Sequence, residues 1–376
     1  MSGKFFWSGN IAIAEGALRA GVNFYAGYPI TPSSDLMEYM ARELPRRGGV
    51  FIQGEDELSS INMVIGASIA GAKAMTATSG PGYSLMQEAL GLAVMLEVPL
   101  VVVDVTRLGP STGQATKSGQ GDLMQARWGR HGDQYTVVYT ASTPEEAYKM
   151  AIKSFNTAEK LRIPVTFLID ELTAHLWETV RVPENIDVVD RRVTEVEAKY
   201  FDSEDPLEAP PMPVLGKGLN VLYTSSTHDA YGYRKTQDPE THKRLVERLK
   251  EKVVGNTNKI FEYEVEGDPD RGEVGIVSFG SVARVAKETR RILEDDGIRT
   301  AVLNLFTLWP MDYRLLGRFT ENMDVIIVPE MNLGQLIYDI YQVRDRDTVY
   351  SYNKVGGGEP IYPRELAIFI KEVMKR

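Results

Sequence analysis

The run Pro99-Leu100-Val101-Val102-Val103-Asp104-Val105 constrains this chain more than any other segment. Its apolar residues are nearly unbroken rather than alternating, so the strand it forms must be covered on both faces. Strands of that kind belong to parallel sheets with helices packed on either side. The flanking sequence has the matching alternation. Apolar spacing predicts helices over residues 11–19, 34–43, 57–72, 82–97 and 144–160, between short strands at 22–25, 50–52, 73–78, 99–105 and 165–169. From residue 186 to 270 the pattern fades. Ser203-Glu204-Asp205-Pro206 and Ala209-Pro210-Pro211-Met212-Pro213 make an acidic, proline-rich stretch that reads as linker or surface arm, followed by one charged helix over residues 238–254. Alternation then resumes, with strands at 274–279, 300–305 and 325–329 and helices at 282–293, 311–319 and 364–375. The expected organisation is a first α/β domain over residues 1–188, a linker and arm over 189–270, and a smaller α/β domain over 271–376.

Composition removes several functions. The 376 residues include no cysteine, which excludes a disulfide, a thiolate nucleophile, a thiolate zinc site and a Cys-ligated iron–sulfur cluster in this chain. With 42 Lys plus Arg against 52 Asp plus Glu, the net charge of −10 argues against nucleic acid as a partner. No apolar run approaches the ~18–20 residues of a spanning helix, so no membrane partner is expected. Met1-Ser2-Gly3-Lys4-Phe5-Phe6-Trp7 lacks a basic region followed by an apolar core, and the cytoplasm is the expected location. His131, His175, His228 and His242 lie far apart, so no metal site is expected. No GxGxxG follows a strand and no Walker loop occurs, which removes the main support for nicotinamide or nucleoside triphosphate binding.

Ligands of open parallel sheets bind at the carboxyl ends of the strands, which directs attention to four loops. In Gly27-Tyr28-Pro29-Ile30-Thr31-Pro32-Ser33-Ser34 two prolines stiffen the chain and three hydroxyls precede a helix. Helix capping accounts for Pro32 and Ser33 equally well. Gly54-Glu55-Asp56-Glu57 places three acids at a helix start, where they favour the dipole. That helix also carries Gly66, Ala67, Ala70 and Gly71, small residues that permit close packing and favour turning one acid into a cleft. Thr78-Ser79-Gly80-Pro81-Gly82 suits either an anion or a tight strand-to-helix turn. Finally, Arg107 at the end of the buried strand suits a carboxylate or phosphate, with a surface or interface position as the alternative.

Read together, Tyr28-Pro29-Ile30-Thr31-Pro32-Ser33-Ser34, Glu55-Asp56-Glu57 and the segment from Thr76 to Glu88 resemble the α subunits of 2-oxoacid:ferredoxin oxidoreductases. Residues 101–107 and 109–114, Met124-Gln125-Ala126-Arg127-Trp128-Gly129 and Glu330-Met331-Asn332-Leu333-Gly334-Gln335 are similar to that family too, most of all to its 2-oxoglutarate type. The resemblance implies a thiamine-diphosphate-enzyme-like pyrimidine-binding domain and a smaller transketolase-C-terminal-like α/β domain. It implies oxidative decarboxylation of a 2-oxoacid to acyl-CoA, with coenzyme A as co-substrate and ferredoxin as electron acceptor. Thiamine diphosphate would be shared with a β subunit that carries the diphosphate and Mg²⁺ site and an iron–sulfur cluster. A separate γ subunit is expected as well, with a ferredoxin-like δ subunit as an option. Two absences agree with this division of labour. Gly121-Asp122-Leu123, Gly132-Asp133-Gln134 and Gly267-Asp268-Pro269 all lack the second glycine of the family's Mg²⁺ motif, and no cysteine is present to hold a cluster. Alone, the chain is expected to be inactive.

The resemblance also assigns roles. Glu57 matches the glutamate that contacts the pyrimidine ring, by its nine-residue spacing to Gly66. That role calls for a buried carboxyl; Glu55 is the competing acid. Thr31 matches the threonine beside substrate and thiazolium, and Arg107 the arginine that binds the 2-oxoacid carboxylate. Tyr28, Pro29 and Ile30 belong to the cofactor loop, and Ser79 and Gly80 help to shape the pocket. The alternatives are a different thiamine-dependent lyase or transferase subunit and a non-catalytic scaffold of a multi-chain complex.

Overall fold

The computed structural model describes residues 2–375. Its first sheet has seven strands in the spatial order Thr307–Trp309, Val137–Tyr139, Pro164–Asp170, Leu100–Thr106, Ala74–Thr78, Phe24–Gly27 and Val50–Gln53. All are parallel to their neighbours except Thr307–Trp309, which is antiparallel. Leu100–Thr106 is buried at every position. Val101, Val103 and Val105 join one core with the helices Gly9–Arg19, Ser34–Arg46 and Pro144–Leu161. Leu100 and Val102 point the other way, into a core shared with Glu57–Ile69 and Gly80–Met95. Each fully buried valine or leucine in these layers contributes ~1.5–3 kcal/mol relative to exposure.

Chain order along this sheet reverses between two adjacent strands. Phe24–Gly27 sends its helix to the first core, toward Val50–Gln53; Ala74–Thr78 sends its helix to the second core, toward Leu100–Thr106. The loops after these two strands therefore part, leaving a crevice at their carboxyl ends.

The second sheet runs Tyr263–Glu266, Thr300–Leu305, Val274–Phe279, Val325–Glu330 and Val349–Asn353, with only the first strand antiparallel. Its apolar residues Val277, Leu303 and Leu305 lie in the same core as Met86 and Leu90 of the first unit. The two sheets meet at their carboxyl ends through Gln120. Its side-chain amide donates to Asp170 Oδ2 and to the Phe279 carbonyl, each at 3.1 Å, while its oxygen accepts from Met331 N.

Most elements lie where apolar spacing puts them, with ends shifted by one to three residues. The helix expected from residue 82 begins at Gly80 because Pro81 fits a first helical turn. Several short pieces carry too little pattern to read: Val137–Tyr139, Leu123–Trp128, Val349–Asn353, and the antiparallel ribbon of Gly3–Ser8 with Trp177–Val182. Tyr263–Glu266, within the stretch read as linker and arm, forms the edge of the second sheet.

The arm itself is docked, not free. Arg191 is buried against Glu159, 2.6 Å away, and also donates to the Ser68 and Ala72 carbonyls. Arg162 reaches the Tyr200 and Pro210 carbonyls. The charged helix Pro239–Val254 presents Arg248 and Lys252 to Glu97, which is wholly buried. Lys252 Nζ lies 2.6 Å from Glu97 Oε2, and Arg248 contributes two further bonds. Burial pushes the Glu97 carboxyl up, but Arg248 and then Lys252 outweigh it and hold the group well below the usual range. His228 is buried on the same arm, its Nδ1 at 2.9 Å from the Ser226 carbonyl and its ring edge-on to Phe201.

Candidate active site

The three acids that follow Val50–Gln53 divide their tasks. Asp56 caps the helix Glu57–Ile69, accepting from Ser59 N at 2.7 Å while Ser59 Oγ accepts from Asp56 N. Glu55 is exposed. Glu57 is buried, and its carboxyl lies beside Gly82, where an added Cβ would collide with Glu57 Oε1 and Thr78 Oγ1. Glycine at position 82 thus lets the helix Gly80–Met95 close over the acid. Among the described residues the Glu57 carboxyl makes no hydrogen bond, which leaves it a buried acid with lone pairs to offer. Beside it, Ser79 precedes the same helix with its hydroxyl buried and unpartnered.

Across the crevice, Arg107 follows the strand Leu100–Thr106 and is itself buried. Its Nη1 donates to the Thr31 carbonyl at 2.7 Å, tying the fourth loop to the first. Thr31 is otherwise exposed, as are Tyr28 and Pro29, while Ile30 is half-buried. The loop is pinned from behind, where Asn10 Nδ2 donates to the Pro32 carbonyl and Ser33 Oγ to that of Ile30. The fold thus brings Thr31 to Arg107 and Glu57 to Thr78 and Gly82. Tyr28, Pro29 and Ile30 make no side-chain hydrogen bond to Glu57 or Arg107.

Arg107 opens on a cleft of about 420 Å³ between the two sheets, lined also by Gly80, Ser84, Asp122, Gln125 and Leu333. The Asp122 carboxyl packs on Gly80, its Oδ2 only 2.9 Å from where a Cβ would stand. Behind it, Asp104 interrupts the valine run and is wholly buried, with neither carboxyl oxygen hydrogen-bonded. Burial, reinforced by the neighbouring charge of Asp122, holds Asp104 well above the usual carboxylate range against the pull of Arg107. Burial likewise pushes Asp122 up to about 6, again opposed by Arg107. Motif reading passes over Asp104 and meets Asp122 only in Gly121-Asp122-Leu123, which lacks the second glycine of the Mg²⁺ motif. The available signal was a charged residue inside an otherwise apolar strand. The far wall is a turn held by Glu330, whose buried carboxylate accepts from Asn332 Nδ2 and from the backbone N–H groups of Gln335, Leu336 and Ile337.

Comparison with known proteins places this arrangement. The thiamine diphosphate-binding family of pyruvate flavodoxin/ferredoxin oxidoreductases matches residues 15–248, and pyruvate:ferredoxin oxidoreductase core domain II matches residues 272–366. The 2-oxoglutarate synthase subunit KorA of Methanocaldococcus jannaschii is 45% identical over 96% of this chain and 97% of its own length. The chain belongs to the 2-oxoacid:ferredoxin oxidoreductase α-subunit family. A longer relative, subunit alpha of 2-oxoacid:ferredoxin oxidoreductase 2 from Aeropyrum pernix, is 34% identical over 98% of this chain but only 60% of its own length. Among solved structures, the 2-oxoglutarate:ferredoxin oxidoreductase of Magnetococcus marinus, with 2-oxoglutarate, coenzyme A and succinyl-CoA bound, superposes with a TM-score of 0.93 at 33% identity. The superposition covers 99% of this α subunit and 65% of that chain. A split-gene transketolase, 13% identical with a TM-score of 0.58 over 98% of both chains, shares the fold. The oxidoreductase α subunit therefore has the two-part architecture of thiamine-diphosphate enzymes. No helix among the described residues is long and apolar enough to cross a membrane.

Proposed function

We propose that this chain is the α subunit of a CoA-acylating 2-oxoacid:ferredoxin oxidoreductase acting on 2-oxoglutarate, with Glu57 and Arg107 as its principal working residues. The observation that carries the proposal is their placement at the chain reversal: one buried acid without a hydrogen-bond partner, and one buried arginine facing a cleft. The match to KorA subunits from several archaea and to a solved enzyme holding 2-oxoglutarate supports the substrate.

The residues present fit thiamine diphosphate. The space that a Cβ at Gly82 would fill keeps the Glu57 carboxyl accessible beside a strand end, and the Ser79 hydroxyl nearby lacks a partner. When bound, thiamine diphosphate supplies the electron sink for decarboxylation of a 2-oxoacid. Glu57 would hold its pyrimidine ring and exchange a proton at Oε1. Tyr28, Pro29 and Ile30 would form the rim that excludes water, and Thr31 would face the substrate. Arg107 offers a fixed, planar donor set to the 2-oxoacid carboxylate.

The rest of the machinery belongs to partner chains in this proposal. With no cysteine here, electrons bound for ferredoxin leave through a β subunit that holds the cluster and the Mg²⁺ site. A separate γ subunit completes the complex in this proposal. The assembled complex would work in the cytoplasm.

Viologen reduction by the complex co-purified with its partner chains, assayed over a panel of 2-oxoacids, tests the reading. CoA-dependent turnover with 2-oxoglutarate as the best substrate is expected. No turnover with any 2-oxoacid would overturn the proposal, and iron without labile sulfide in the partner chains would favour another thiamine-dependent enzyme.

A further inference from the structure

The cleft at Arg107 holds an electrostatic problem that the proposed reaction leaves unsolved. Among the described residues lining it, the only charged side chains are Arg107 and Asp122. Arg107 Nε is buried without a partner, and its one hydrogen bond goes to the neutral Thr31 carbonyl, so the guanidinium is free to take an anion. An anion that does so comes to lie beside Asp122, whose buried Oδ2 has no donor to stabilise its charge. Asp104 lies behind with two more unsatisfied oxygens. Like charges in such a site are costly, and taking up a proton relieves the cost most directly.

Resting on the reading of Arg107 as the carboxylate site, we propose that the Asp122–Asp104 pair is a proton acceptor coupled to substrate binding. One solvent proton enters the pair for each 2-oxoacid carboxylate that settles on Arg107. The balance is simple: carboxylate, one proton and the pair give bound carboxylate and a pair carrying one proton more, with no covalent bond to carbon made or broken. Asp122 is then a positioning residue that matches the cleft to a substrate anion. The surrounding groups leave the pair as the site of titration. Arg107 faces it from the strand end, and Tyr83 stands behind Asp104 with its hydroxyl bonded to Thr166 Oγ1 and 3.5 Å from Arg130 Nη1. Glu57 lies at Gly82, further along the same helix start. Glu330 in the facing turn is already saturated by backbone donors. The coupling has a direction. Asp122 titrates at about 6, so the protonated, anion-accepting form is depleted as pH rises above that point.

The test measures KM for 2-oxoglutarate between pH 6 and 8 in the assembled complex, with the wild-type chain, Asp122→Asn and Arg107→Ala. Wild-type KM should rise about tenfold or more over that range, whereas Asp122→Asn should be flat within about twofold. An Asp122→Asn variant that keeps the wild-type slope overturns the proton coupling. Arg107→Ala separates the two claims, because wild-type KM in that variant overturns the carboxylate reading itself. Calorimetry of 2-oxoglutarate binding to the wild-type complex in two buffers of different ionisation enthalpy gives a second readout independent of variant folding. Uptake approaching one proton near pH 7.5 is expected, and zero uptake overturns the proposal.

Discussion

Two clusters of buried charge lie before and after the central strand Leu100–Thr106, and they are built by opposite rules. Around Glu97 the carboxylate is answered on both oxygens by Arg248 and Lys252, and Arg162, with only its Nη2 left unpartnered, stands close by. Around Arg107 the charges are left wanting, with both oxygens of Asp104, one of Asp122 and the Arg107 Nε unpartnered. A buried pair that is fully satisfied fixes geometry. A buried group that is not satisfied carries a standing cost, and such costs gather at working sites. The first cluster docks the arm; the second, with Glu57, is the proposed ligand site.

Glu57→Gln should show the largest effect. Removing a positioned proton carrier costs about 10²–10⁴-fold in turnover, and the thermal midpoint of the chain should not move. Wild-type turnover in that variant would pass the role to Glu55. Glu97→Gln should do the reverse, leaving Arg248 and Lys252 buried without their anion at a cost of about 3–5 kcal/mol in unfolding free energy, with KM for 2-oxoglutarate unchanged. The pH profile of stability sharpens this. Because Arg248 and Lys252 hold Glu97 below its unfolded value, its contribution is fully present above about pH 4.5 and lost as pH falls through the folded value. Glu97→Gln should lack that acid limb.

Arg107→Ala should raise KM for the 2-oxoacid about 10–100-fold, with little change in KM for coenzyme A. Equal effects on both would recast the arginine as structural or as a coenzyme A ligand. The smallest effect should come from Asp104→Asn. Burial holds the folded Asp104 above its unfolded value, so retaining the acid costs stability once pH rises past that unfolded value, and the amide should gain about 1 kcal/mol by denaturant melts at neutral pH. An amide in place of a buried acid is thus expected to stabilise one cluster and destabilise the other. Destabilisation in both would erase the distinction between them.

Much of this was legible before any coordinates. The run ending in Val105 demanded a strand covered on both faces, and Leu100–Thr106 is one. The acids at the start of the helix Glu57–Ile69 were visible as a group, but which one caps and which one is buried depends on how Gly82 of another helix closes over them. The arm was less legible. A charged, proline-rich sequence reads as solvated, and only the folded chain shows that Arg162, Arg191, Arg248 and Lys252 are buried against Glu97, Glu159 and backbone carbonyls. Asp122 and Asp104 were hidden for the same reason: what distinguishes them is missing partners, and sequence spacing does not record partners.

The most direct measurement is the rate of 2-oxoglutarate- and CoA-dependent viologen reduction by two assembled complexes, one carrying Glu57→Gln and one Glu97→Gln, each normalised to intact complex. The expected result is near-complete loss in the first and wild-type turnover per assembled complex in the second. Comparable turnover in both, or loss confined to Glu97→Gln, would contradict the placement of the active site at the chain reversal.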